Sequence, residues 1–144
     1  MNQETDNFEM ALLSGISAFE GKHFGQALQL LSPIANSGHA DAQYRVAIML
    51  QNGLGAVKNP SEAARFMHNA AEQGHALAQH GLGFMFLMGD CVAQNSLEAL
   101  NWFQKAAEQG LSGSLVTLGR MYEEGLGIEK NLTEAQRLYK LAGF

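Results

Sequence analysis

The sequence is short of several things that chemistry or location would require. It has one cysteine, Cys91, in 144 residues, which excludes an intrachain disulfide framework. Charged residues make up 16% of the chain, its nine lysines and arginines never run together, and the formal net charge is −5. A nucleic-acid binder needs a clustered basic surface for phosphates, so no nucleic-acid partner is expected. The most apolar run, Leu82 to Met88, is seven residues long. A membrane-spanning helix needs about 20, so no direct membrane insertion is expected. Nothing near Met1 reads as a basic segment followed by an apolar one, and the expectation is a cytoplasmic protein.

What the sequence does have is a repeat. Ala70-Ala71-Glu72-Gln73-Gly74 returns unchanged as Ala106-Ala107-Glu108-Gln109-Gly110, 36 residues later. The register extends to Gly53, Gly89 and Gly125, to Asn59, Asn95 and Asn131, and to Ala63, Ala99 and Ala135. A fixed period in this range marks stacked supersecondary units, none of which can bury its apolar face alone. The five-residue motif itself reads as a helix ending: two small packing residues, two solvated polar residues and a C-cap glycine.

Apolar residues recur at helical spacing on both sides of each glycine-rich turn. The reading is all-α, an α/α solenoid of four antiparallel hairpins (eight helices) in a single domain over 1–144. The hairpins are expected at about 8–38, 39–74, 75–110 and 111–143. Pro60 fits a first helical position, where its missing amide does no harm. Pro33 falls inside an apolar pattern and predicts a kink or a late helix start. The last unit only just reaches the earlier ending, with Gly143 standing where Ala107 stood.

Leu118-Gly119-Arg120-Met121-Tyr122-Glu123-Glu124-Gly125-Leu126-Gly127-Ile128, Ala135 and the two Ala-Ala-Glu-Gln-Gly endings resemble Sel1-like repeats, a subfamily of tetratricopeptide-type hairpins. The resemblance covers about Gly38 to Gly143, and the first unit looks like an ordinary tetratricopeptide hairpin. It implies a right-handed superhelix and a non-enzymatic scaffold or adaptor. Cys91 departs from it, replacing the second glycine of the turn written Gly53-Leu54-Gly55 and Gly125-Leu126-Gly127 elsewhere. If that turn needs positive φ, the loop around Cys91 should differ.

No chemical site emerges. His39 and His75 are equivalent by repeat, but no cysteine or glutamate stands at metal-ligand spacing and no His-Glu-x-x-His occurs. Glu123 and Glu124 are neighbours on a helix and point about 100° apart, so they cannot flank one bond. Gly-Leu-Gly lacks the further glycines and the lysine of a phosphate loop. No catalytic residue, cofactor or metal is expected.

The first helix of each hairpin should line an inner groove. Counting around Gly15, Ala47, Gly83 and Gly119 places Tyr44, Ile48, His80, Phe84, Leu87, Met88, Arg120 and Glu123 toward it. Five consecutive apolar residues, Phe84 to Met88, cover a whole helix circumference, so at least one must face outward. The expected partner is a protein or peptide segment. The alternatives are a small-molecule or enzymatic use of the same concavity, and a homodimer through Leu138, Tyr139, Leu141 and Phe144 of the terminal repeat.

Overall fold

The computed structural model describes residues 3–144, which form eight α-helices with no strand among them. They are α1 (Gln3–Glu20), α2 (Phe24–Asn36), α3 (Ala40–Asn52), α4 (Pro60–Glu72), α5 (Ala76–Met88), α6 (Ser96–Glu108), α7 (Ser112–Glu124) and α8 (Leu132–Leu141). The chain divides after Gln73 into two compact units, the first carrying α1–α4 and the second α5–α8. Within each unit, every helix packs against the next one in sequence. The result is two hairpins per unit, the repeating part of an α/α solenoid.

The loops repeat as faithfully as the helices. Asn59, Asn95 and Asn131 cap α4, α6 and α8, their side-chain oxygens accepting the N–H of Glu62, Glu98 and Glu134. The same asparagines donate their own N–H, at 2.9 Å, back to Leu50, Phe86 and Tyr122 in the preceding helix. One residue type therefore starts a helix and closes the loop before it. The αL residues Gly53, Gly89 and Gly125 end α3, α5 and α7.

Four details depart from expectation. Cys91 has φ 67°, beside 77° at Gly55 and 72° at Gly127, so its turn keeps the glycine conformation instead of changing shape. An L side chain is disfavoured there by about 1–2 kcal/mol, and the repeat geometry holds it regardless. Helix α2 begins at Phe24 without delay and runs through the exposed Pro33, which lies only three residues before the helix end. Helix α8 has ten residues where α4 and α6 have thirteen, and Gly143 takes the left-handed position that Gly74 and Gly110 take, not that of Ala107. The earlier stop is closed in the same way: Phe144 N–H reaches Tyr139 O, as Leu111 N–H reaches Ala106 O.

The fourth departure concerns the glutamines of the repeated motif. Gln73 Nε2 donates to Oε1 of the buried Gln43 at 2.8 Å, and Gln43 Nε2 donates to Ala35 O at 3.2 Å. In the second unit Gln109 Nε2 donates to the buried Gln79 Oε1 and to Gly74 O, both at 2.9 Å. These glutamines tie the end of one hairpin helix to the start of its partner, which makes them structural rather than merely solvated. Small residues set the helix spacing. A Cβ on Gly83 would lie 2.8 Å from the Phe103 ring, and the Tyr139 ring sits as tightly on Gly119.

Candidate functional site

Among the positions of each first helix that are not fully buried, the repeat lets six be compared one for one. On α3 they carry Asp41, Tyr44, Arg45, Ile48, Gln51 and Asn52. On α5 the same positions carry Leu77, His80, Gly81, Phe84, Leu87 and Met88. On α7 they carry Gly113, Val116, Thr117, Arg120, Glu123 and Glu124. The buried positions keep their class between repeats, apart from Ser114 in the place of Ala42 and Ala78 and Leu115 in the place of Gln43 and Gln79, while these six change class.

In the first unit the face is held by charge. Arg45 Nε donates to Asp41 Oδ2 at 2.8 Å, its Nη1 lies 3.9 Å from Glu20 of α1, and its guanidinium stacks 5.0 Å from the Phe19 ring centroid. Tyr44 and Ile48 are half-buried there, and burial pushes the Tyr44 phenol above its ordinary value. The cation is already occupied by two carboxylates and a ring.

In the second unit α5 is apolar and uncovered. Leu77, Phe84 and Met88 are 46%, 40% and 71% exposed, at spacings of seven and four residues that put them on one stripe. Gly81 lies between Leu77 and Phe84 on that stripe and leaves it without a side chain at that turn. Leu77 escaped the count from the sequence because the inward set was built around Gly83; the signal was its place one period after Asp41. Leu87 turns the other way and packs with Phe86 against the cluster of Phe103, Leu115, Leu118 and Met121.

His80 joins the stripe to the core. Its Nδ1 lies 2.7 Å from Oγ of the fully buried Ser114 on α7. Its ring meets Phe84 edge-on with centroids 4.9 Å apart, and Phe103 at 5.4 Å. Burial lowers its pKa below the ordinary 6.5, so the neutral imidazole is favoured. Arg120 and Glu123 do not join this cluster as free charges. Arg120 pairs with Glu124 at 3.6 Å, and Glu123 accepts a hydrogen bond from the Tyr139 hydroxyl.

His39 and His75, equivalent in the repeat, have a different duty. Their Nδ1 atoms accept the N–H of Ala42 (3.2 Å) and Ala78 (3.1 Å), so each is the N-cap of its helix. Only an unprotonated ring nitrogen can accept that bond. No group of three His, Cys, Asp or Glu side chains among the described residues is placed to hold a metal ion. No helix among them is long and apolar enough to cross a membrane. Of the expected terminal apolar set, Leu138 is buried and Tyr139 lies on Gly119, leaving Leu141 and Phe144 exposed.

Comparison with known proteins agrees with this architecture. No curated protein sequence matches the chain. A Sel1 repeat protein from Oxalobacter formigenes superposes with a TM-score of 0.85 at 34% identity, over 92% of this chain and 53% of its own. A protective antigen of uropathogenic Escherichia coli strains, displaying an SLR fold, gives 0.89 at 29% identity over 96% of this chain and 31% of its own. The chain thus spans about half the length of the first and a third of the second. The Sel1 repeat pattern matches residues 40–75, 76–111 and 115–143. With three repeats matched over more than half its length, the chain belongs to the Sel1 repeat family.

Proposed function

We propose that this chain is a non-enzymatic protein-interaction module, and that the exposed face of α5 receives an apolar segment of a partner protein. One observation carries the reading. Leu77, Phe84 and Met88 stand exposed on one stripe, where the equivalent residues of α3 are Asp41, Ile48 and Asn52. Single exposed apolar residues are ordinary, but three on one helix face form a patch. Methionine beside an aromatic ring suits a contact that adapts to its partner. The family to which the chain belongs generally serves in protein interaction, which supports the same reading.

The test is a comparative pull-down from the native cell with the wild-type chain and Phe84→Ser/Met88→Ser as baits. A partner held by wild type and lost from the double variant, with the helical circular dichroism retained, supports the proposal. Equal capture by both baits overturns it. A second reading, self-association, rests on Leu141 and Phe144, 60% and 83% exposed. Light scattering of Leu141→Ser/Phe144→Ser against wild type decides it: an unchanged mass excludes that surface as a dimer contact.

A further inference from the structure

Helices α4 and α8 share a charged pair and differ in what lies beside it. In α4, Arg65 grips Glu62 with two hydrogen bonds of 2.9 and 2.7 Å, and its guanidinium carbon lies 4.3 Å from the centroid of the buried Phe66 ring. In α8, Arg137 grips Glu134 in the same way, with Nε on one carboxylate oxygen at 2.9 Å and Nη2 on the other. The hydrogen bond from Arg137 holds the Glu134 carboxyl below its ordinary range. The next residue, however, is Leu138, where the earlier repeats carry Phe66 and Trp102. The ring that belongs beside the guanidinium is missing.

A cleft marks the loss. About 360 Å³ opens among α6, α7 and α8, lined by Ala107, Leu115, Leu118, Tyr122, Arg137 and Leu138 among others. Ala35 and Ala71, the counterparts of Ala107, are buried, whereas Ala107 is partly exposed. Leu115 adds to the apolar lining, since it stands where Gln43 and Gln79 stand in the earlier repeats.

We propose that this cleft binds one aromatic side chain of a partner polypeptide, seated on Leu115, Leu118 and Leu138 with its face toward Arg137. The first unit displays the arrangement within the same molecule, with Phe66 in the place of the bound ring. Charge complementarity selects the occupant: the guanidinium attracts the negative face of an aromatic ring and offers an aliphatic chain nothing comparable. Size agrees, because a cavity of about 150 Å³ already accommodates benzene. Glu134 holds Arg137 in place before the ring arrives. The site is separate from the α5 face and uses none of its residues.

The experiment is a methyl-NMR titration of the full chain with N-acetylphenylalaninamide, N-acetyltryptophanamide and N-acetylleucinamide. Saturable shifts at the Leu115, Leu118 and Leu138 methyls are expected with both aromatic amides, about three- to fivefold tighter than with the leucine amide. Leu138→Phe, which supplies the ring from within, should abolish them. Arg137→Gln should bring the aromatic amides down to the level of the leucine amide. Met88→Ser, at the most exposed residue of the α5 stripe, should leave the titration unchanged, which separates this site from the α5 reading. Absence of saturation, equal affinity for the leucine amide in the wild type, or undiminished binding in Leu138→Phe each overturns the proposal. Should Leu138→Phe fail to fold, Arg137→Gln alone decides the outcome.

Discussion

The two units are built from the same parts and spend them differently. In both, asparagine caps, left-handed glycines and a Gln–Gln hydrogen bond join the helices of a hairpin. In the first, Arg45 of α3 is locked to Asp41, Glu20 and Phe19, and the α4 ring position is filled by Phe66. In the second, α5 leaves Phe84 and Met88 uncovered and α8 leaves a cleft beside Arg137. What recurs between repeats holds the fold, and what changes between them is where function can reside. A repeat protein thus carries its own internal control.

The largest break in this comparison should come from the small residues. Ala47 occupies on α3 the place of Gly83 on α5, and the residue 20 positions on is Met67 in one case and Phe103 in the other. A flexible methionine can yield to a methyl group and a buried ring cannot. Gly83→Ala is expected to destabilise by about 1–3 kcal/mol through overpacking, read by urea denaturation. Next come the glutamines. Gln73→Ala and Gln109→Ala each strip a donor from a buried amide oxygen, and each should lower stability by about 1 kcal/mol in the same assay. If only one of the pair has an effect, the two hairpins are not equivalent.

Cys91→Gly should act in the opposite direction. It relieves a left-handed side chain and restores the residue type of Gly55 and Gly127, for a gain of about 1 kcal/mol and a melting temperature higher by about 2–8 °C. The smallest effect concerns pH. The folded His80 has a depressed pKa, so below pH 6.5 the unfolded chain takes up the proton first. Its contribution is full above that pH and is lost as the pH falls toward the folded value. His80→Gln should flatten this part of the stability–pH curve; a curve identical to wild type would show that burial of the imidazole has no thermodynamic weight.

The helices and their order were legible because glycine, asparagine and alanine recur at fixed offsets, and each of those residues acts within a turn or two of itself. The same signals placed the apolar run of α5 on a first helix. The pairing of Gln73 with Gln43 was not legible, since it joins residues 30 apart through side chains that look solvated in isolation. Leu77 was missed because one small residue was used to orient the whole helix. The α8 cleft needed two facts together: that Leu138 replaces a ring, and that the pair formed by Glu134 and Arg137 survives the replacement. The first was visible in the sequence, and its meaning was not.

The left-handed residues Gly38, Gly74, Gly110 and Gly143 each close a second helix of a hairpin at its own boundary, with Gly38, Gly110 and Gly143 donating to a carbonyl three residues back. The hairpin that follows adds the same tie at two of the joints, with His39 N–H reaching Ile34 O and Leu111 N–H reaching Ala106 O, both at 3.3 Å. Because the ties recur, such a hairpin can be copied, or edited on its exposed face, without redesign of the joint, so the interchangeable part is the 36-residue hairpin itself. Selection can then write a binding face onto one copy while its neighbours keep the architecture.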